Sequence, residues 1–478
     1  MGVRAGRGRR PQSAMSAFGA KLAAARAVGR LARAAGRGGG TSLPGKVLTR
    51  LEPNAIARLA ARLPDGSAVI SATNGKTTTA AMAAAILEHS GRRLVHNRAG
   101  ANMASGVAST LSAAAGRGQR IDGELGLFEV DEFWLDQVAP ALAPRSLALG
   151  NLFRDQLDRY GELETIADRW AAMVGELPAS AQLALNADDP LIADLGRARD
   201  PGRVTYFGVE DGAMAVPEMQ HASDSKHCRR CGAAYVYDAV YLGHLGVYRC
   251  AACGRRRPEP AVRAEQVRLQ GTDGATFTLA TPAARVEVAL PLPGLYNVYN
   301  ALAAAALCLT LGVSAHQVAQ GLAQVSAAFG RGERVRIGDR TLSLLLIKNP
   351  AGTNEILRTL RLAEPELDLL GVLNDRTADG HDISWVWDAD FELLADRARR
   401  ITCAGTRAAE LALRLKYAGV DETRLRVIPE LPAALDDALA GAAGERVFAL
   451  PTYTALLELH AELERRGHVK RFWAGGRR

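Results

Sequence analysis

A chain of 478 residues is too long for one ordinary core and predicts two or three domains. Hydrophobic residues make up 48% of it without a run long and apolar enough for a bilayer span, so a soluble, cytoplasmic protein is expected. The net charge of +8 suggests nucleic acid until it is located: residues 1–50 hold eleven Lys or Arg and no acidic residue, which leaves −3 for the rest and excludes a general basic face on the body.

The opening MGVRAGRGRRPQ is expected to be disordered. SAMSAFGAKLAAARAVGRLARAAGR then spreads basic residues over a helix-forming background and lacks the apolar stretch of a secretory signal. Two readings of this helix stand: it lies on anionic lipid or a partner, or it packs on the body with its charges solvated. GRGGGTSLPGK reads as a flexible joint into the first domain.

From residue 46 to about 215, short apolar runs alternate with helical segments, the pattern of a doubly wound α/β sheet. SAVISA, LGLFEV, SLALGNL and AQLALN predict strands, and KTTTAAMAAAILEHS and YGELETIADRWAAMVGEL predict helices. Residues 222–262 break the rhythm with four cysteines, many arginines and several tyrosines. ATFTLATPAARVEVALPLPG returns to strand, followed by the helix NVYNALAAAALCLTLG, and AFGRGERVRIGDR reads as a hinge. Beyond it TLSLLLIKN, LDLLGVLND, RRITCAG, RLRVIPE and RVFALPT alternate with helices as a second, smaller α/β unit.

The turn in ISATNGKTTTAAM joins a strand to a helix through small residues, which aims backbone N–H groups and the positive helix end at one spot suited to a phosphate chain. Lys76 is expected to reach the β- and γ-phosphates and the Thr77 hydroxyl to bind Mg2+. The Walker spacing fails, because its first glycine falls on Ile70. The plainer alternative is a strand-to-helix turn with an incidental lysine.

Cys228-x2-Cys231 and Cys250-x2-Cys253, eighteen residues apart, have the spacing of a zinc ribbon, each pair a knuckle closed by a glycine, Gly232 or Gly254. Four thiolates leave Zn2+ no open position, so the site should be structural and staple an insertion too polar to fold alone. Disulfides are the alternative, disfavoured because nothing suggests export. Cys308 and Cys403 lie on apolar segments and read as core residues. The arginines of RRCG and CGRRRPEP keep a nucleic-acid-binding ribbon as an opposing reading, although tyrosines alternating with apolar residues suit a hairpin core.

The phosphate turn resembles the ATP loop of Mur ligases and folylpolyglutamate synthases, usually G-T-N-G-K-T, with Ala72 at the first glycine. Four further motifs follow in order: FEVDE, with Glu129 at the position of a Mg2+-binding glutamate; NLFRDQLDRYG; LNADDP; and GLYNVYNALAAAA, in which Asn300 matches an adenine-contacting asparagine. The resemblance implies an ATP and Mg2+ site formed by Thr73, Asn74, Gly75, Lys76, Thr77, Thr78, Glu129, Asn300 and Arg331. It also departs from the pattern. Gln156 replaces a Mg2+-binding histidine, and the absence of any lysine between Lys76 and Lys226 leaves no residue for the carbamylated lysine of many Mur ligases.

GVLNDRTADGHDISWVWDADFE packs aspartates and two tryptophans into a loop after a strand, where an ordered surface or strand is expected to dock something. With KNPAGTNEIL, TSLPGK, PTYTALLELH and the cysteine insertion it resembles the MurT family, ligase-like subunits of lipid II isoglutaminyl synthase, over nearly the whole chain. That resemblance implies ATP-dependent amidation of the D-glutamate α-carboxyl of lipid II through an acyl phosphate. Ammonia would come from GatD, a glutamine amidotransferase subunit whose catalytic Cys/His pair borrows an aspartate from this chain: Asp382, with Asp379 and Asp388 as alternates. The implied organisation is a basic arm (1–45), a Mur-type ATP-binding domain (46–221 and 263–332), a zinc-ribbon insertion (222–262) and a Mur-like C-terminal domain docking the glutaminase (333–478). Partners would be GatD and lipid II, not nucleic acid, with peripheral membrane contact through the arm. Attachment of an amino acid by a Mur or folate-type ligase is the alternative activity.

Overall fold

Short apolar runs separated by helices build two sheets in the computed structural model, which describes residues 17–34, 42–97, 101–116, 120–155, 163–217, 219, 223–326 and 331–469. The first strands are β1 (Ser67–Ser71), β2 (Leu94–His96), β3 (Leu125–Glu129), β4 (Ser146–Leu149), β5 (Gln182–Asn186) and β6 (Val204–Val209). The hairpin β7 (Tyr235–Leu242) and β8 (Leu245–Cys250) stands apart as a two-stranded sheet. The chain then adds β9 (Val262–Leu269), β10 (Ala275–Ala280) and β11 (Arg285–Leu290), completing a nine-stranded sheet of order β11-β10-β9-β6-β5-β4-β1-β3-β2. Pairing is parallel from β2 to β9 and antiparallel through β10 and β11.

The central strands are apolar throughout because both faces are covered. Ala68 and Ile70 enter one core and Val69 the other; Leu125 and Leu127 are likewise parted from Phe128. A parallel strand buried on two sides loses the polar alternation of a half-exposed strand. β1 lies between β3 and β4, which the chain reaches in opposite directions, so the carboxyl ends of β1, β3 and β4 open onto the crevice where doubly wound sheets bind ligands.

A second sheet holds β12 (Arg331–Ile337), β13 (Arg340–Leu345), β14 (Leu367–Val372), β15 (Ala398–Ala404), β16 (Leu425–Val427) and β17 (Arg446–Pro451), in the order β12-β13-β17-β14-β15-β16. Only β12 runs antiparallel to its neighbour. Leu369 and Phe448 face one core, Leu370, Val447 and Ala449 the other.

Three expectations are corrected. The Gly/Arg-rich stretch read as a hinge is strand from Arg331 onward, its alternate residues satisfied by pairing with β13. Within the expected joint, residues 36–41 lie outside the described residues, but Leu43–Leu51 is a helix with Pro44 in its first turn. Gly45 is required there: a Cβ would stand 1.8 Å from the Ser105 carbonyl oxygen of the crossing helix Ala104–Ala114. The paired tryptophans lie on the 3-10 turn Ser384–Trp387 rather than a strand.

The cationic helix, Ala17–Ala34, packs on the body. Phe18, Leu22 and Ala25 are buried, Arg58 lies 4.2 Å from the Phe18 ring centroid, and Lys21 Nζ meets Glu52 Oε2 at 3.1 Å. The segment before it lies outside the described residues. Among those described, no helix is long and apolar enough to cross a membrane.

Candidate functional site

The phosphate turn occupies the carboxyl end of β1. Gly75 caps the helix Lys76–His89 with φ 86°, a left-handed conformation that glycine takes without strain. A Cβ at this position would also lie 1.9 Å from Asn300 Oδ1, so the turn and the helix Leu295–Thr310 approach as closely as they do only because position 75 is glycine. Asn300 donates to Asn297 Oδ1 at 3.1 Å and accepts from Thr79 Oγ1 at 3.3 Å, and with Asn74, Thr79, Asn151, Asn186 and Tyr299 it lines a cleft beside the turn.

The turn is held from β4. Thr73 N donates to Asn151 O and Asn74 N to Asn151 Oδ1, both at 2.9 Å, while Thr73 Oγ1 accepts from Phe153 N at 3.1 Å. Lys76 is buried, donating to Thr73 O at 3.2 Å and pairing with Glu132. Burial works to lower its pKa, but Glu132, Asp131 and Glu129 together raise it, so the ammonium is permanently charged. Burial likewise pushes the Glu132 carboxyl up, yet Lys76 and Lys348 bring it below the ordinary range.

Thr77 Oγ1 donates to Glu129 Oε1 at 2.9 Å, bringing together two oxygen donors of the kind magnesium takes, one of them a buried carboxylate. A buried Asp155 Oδ1, without a hydrogen-bond partner among the described residues, lies in the chain segment following β4. These features fit a magnesium–nucleotide site. Thr78 is buried on the same helix; Arg331 begins β12, and its side chain, like Gln156, lies outside the described residues.

Sequence reasoning missed the far wall of this site. Lys348 pairs with Asp155, and Asn349 caps the helix Pro350–Ala363 while exchanging hydrogen bonds with Asn74. The dipeptide Asn349-Pro350 carries a helix-start signal, but nothing local announces its neighbour. Glu132 was hidden in the same way, one of several acidic residues after β3.

The four expected metal ligands converge. The sulfurs of Cys228, Cys231, Cys250 and Cys253 lie within 4.8 Å of one another, near the roughly 3.8 Å edge of a tetrahedron of thiolates about a zinc ion. Gly232 and Gly254 take φ 75° and 72°. Although burial raises the Cys228 pKa, the N–H groups of Arg230 and Cys231 bring it down to about 6, favouring the ligating thiolate. The donor set and spacing fit Zn2+. Tyr235 and Tyr248 pack beside the quartet, ring centroids 5.0 Å apart. Several of the ribbon's arginines are paired: Arg257 Nε meets Asp188 at 2.7 Å, Arg255 meets Asp194 at 2.8 Å, and Arg229 pairs with Asp168, while Arg230 and Arg256 are exposed.

The three candidate aspartates separate by environment. Asp379 is buried and accepts from Thr454 N at 2.7 Å and from its hydroxyl, capping the helix Tyr453–Arg465. Asp388 is exposed after the 3-10 turn. Asp382 is exposed too; the Ser384 N–H, donating at 2.8 Å, and the Ser384 side chain hold its carboxyl below the usual range. Trp387, half exposed, stands edge-on to Tyr417 at 5.8 Å beside it in the chain fold.

Residues 70–308 match the Mur ligase middle domain and residues 346–456 the MurT ligase C-terminal family. A pseudomurein peptide ligase type C from Methanothermus fervidus aligns with a TM-score of 0.64 over 84% of this chain and 79% of its own, at 22% identity. MurF from Acinetobacter baumannii aligns at 0.64 over 88% and 81%, at 20% identity. Fold and site thus define a ligase of the Mur type. The chain is 31% identical to the MurT subunit of lipid II isoglutaminyl synthase (glutamine-hydrolyzing) from Streptococcus pneumoniae over 91% of this chain and 94% of that protein, and to its Staphylococcus aureus counterpart over 93% and 96%. It belongs to the MurT family.

Proposed function

We propose that this chain is the ligase-like subunit of a lipid II isoglutaminyl synthase, using ATP to convert the D-glutamate α-carboxyl of the stem peptide to the amide with ammonia from a GatD-type glutamine amidotransferase. The observation that carries this reading is the union, in a single chain, of a Mur-type phosphate turn with a full-length match to MurT subunits.

A carboxylate does not yield to ammonia until its oxygen is made a leaving group. In this scheme the carboxylate oxygen attacks the γ-phosphorus of ATP, ADP departs, ammonia attacks the acyl phosphate carbon, and phosphate leaves as the nitrogen sheds a proton. Lys76, the N-terminus of its helix and the backbone of Thr73, Asn74, Gly75 and Thr78 bind the phosphate chain, and Asn300 binds adenine. Thr77 and Glu129 hold Mg2+, which supplies charge neutralisation for the transferring group when bound. Arg331 belongs to the same nucleotide set. The contacts from Lys348 and Asn349 shelter the acyl phosphate from water.

The supplier of ammonia docks on the C-terminal unit, where Asp382 orients the partner's catalytic histidine and fixes its tautomer. The cysteine quartet binds Zn2+ structurally. The domains are 46–221 with 263–330, the insertion 222–262, and the C-terminal unit, which starts at β12 with Arg331 rather than at the expected residue 333. The basic arm, 1–45, gives the chain peripheral contact with the membrane face where lipid II resides, through its cationic charge; vesicle binding unchanged by removal of residues 1–40 would count against that role.

The test is reconstitution: the chain co-purified with a candidate glutaminase amidates lipid II with glutamine and ATP. Incorporation of an amino acid without any partner would favour the ordinary Mur ligase activity instead.

A further inference from the structure

Four carboxylates gather around the phosphate turn, those of Glu129, Asp131, Glu132 and Asp155, and all but the half-buried Asp131 are buried. The two ammonium groups facing them differ. Lys76 is enclosed and committed to Glu132 and Thr73 O. Lys348 arrives from the other sheet, pairs with Asp155, and keeps 32% of its side chain exposed. Its backbone is pinned beside the turn, because Asn349 Nδ2 donates to Asn74 Oδ1 at 2.9 Å.

Asp155 supplies a second observation. Its carboxylate is buried, yet among the described residues Oδ1 has no hydrogen-bond partner. A buried acceptor left unpaired is costly, so the unpaired oxygen marks the side on which a ligand or its cation is received. Lys348 is thus held on a carboxylate whose second oxygen is left to receive a partner. Its charge also reaches Asp131 and Glu132: burial keeps the Asp131 carboxyl above its ordinary range despite Lys76 and Lys348, whereas at Glu132 the two lysines outweigh burial and bring it below.

We propose that Lys348 is a catalytic cation contributed by the C-terminal unit, moving from Asp155 onto the oxygens of the γ-phosphoryl group as it passes to the substrate carboxylate. The inference rests on the reading of this turn as a phosphoryl-transfer site. The bond from the γ-phosphorus to the bridging oxygen of ADP breaks as the bond to the carboxylate oxygen forms. Lys348 donates hydrogen bonds and keeps its protons throughout.

The test compares AMP-PNP with ADP, each with Mg2+, binding to the full chain in complex with its partner. Lys348→Met is expected to weaken AMP-PNP by about ten- to a hundredfold while ADP changes less than about threefold, and Lys348→Arg to restore most of the difference. Equal weakening of both nucleotides, as loss of a mere domain clasp would give, overturns the proposal, and so does no weakening. Amidation is followed in parallel. An unmodified complex that fails to amidate lipid II sinks the functional reading, whereas the AMP-PNP to ADP ratio still decides the role of Lys348.

Discussion

Asn349 Nδ2 donates to Asn74 Oδ1 at 2.9 Å although the two residues stand 275 positions apart. Asn74 is held in turn through its backbone N–H by Asn151 Oδ1. Three asparagines in series therefore join the carboxyl end of β4, the phosphate turn and the first helix after β13. Small uncharged amides suit this position, since they bind one another without adding charge where phosphates must enter.

Lys76→Ala removes the buried cation of the turn, and amidation by the complex should fall by at least roughly 10²–10³ in kcat. The substitution also strands Glu132. With Lys76 present, the Glu132 pKa lies below its ordinary 4.5 in the fold, so its contribution to stability is complete above that value and is lost as the pH falls through the depressed one. Without Lys76 this acid-side contribution disappears; thermal unfolding between pH 3 and 7 measures it.

Gly75→Ala meets two obstacles, the φ of 86° and the Asn300 side chain 1.9 Å from the new Cβ. The backbone strain alone costs about 1–2 kcal/mol. Displacement of Asn300 should further weaken ATP binding by about tenfold or more, read by titration calorimetry, with the strain visible as a lowered midpoint of unfolding.

Removing zinc should unfold the ribbon and loosen its anchor on Asp188 and Asp194. Elemental analysis is expected to find zinc in the purified chain and to lose it in Cys228→Ser. The metal-free Cys228 thiol has its pKa lowered from 9.0 to about 6, so in the fold it gives up its proton more readily than in the unfolded chain. Cys231 beside it is shifted the opposite way, up to about 12: the Ala233 N–H lowers it, but hydrogen bonds with Cys250 and burial outweigh that. For Cys228 itself the contribution to stability is complete above about pH 9 and is lost as the pH falls through about 6. Zinc retention across pH 5–8 checks the same sign, because protons compete for the thiolates.

Asp382→Asn should lower glutamine-dependent amidation by roughly 10²–10⁴ while leaving amidation driven by added ammonium intact. Asp379→Ala is expected to behave differently. It removes the cap on Tyr453–Arg465 and should cost about 1 kcal/mol of stability without separating the two nitrogen sources. Equal loss of both activities in Asp382→Asn would assign it a structural role.

Much of the fold could be read from local pattern. Apolar runs marked the parallel strands, small residues before Lys76 marked the phosphate turn, and the spacing of Cys228, Cys231, Cys250 and Cys253 marked the quartet. Each of these is a short-range property: a strand buried on both faces, a turn of small residues and a metal knuckle are written within a few neighbouring positions.

What tertiary structure alone decided is which side chains meet. Asp379 and Asp382 sit three positions apart in one loop, yet one closes a helix end and the other remains open to a partner. The helix Ala17–Ala34 could have faced lipid or protein until Phe18 and Leu22 were seen buried. Lys348, from the chain after β13, meets Asp155 in the segment after β4 only in the folded chain. Such pairings depend on the relative placement of elements hundreds of residues apart, and no local spacing in the sequence carries that information.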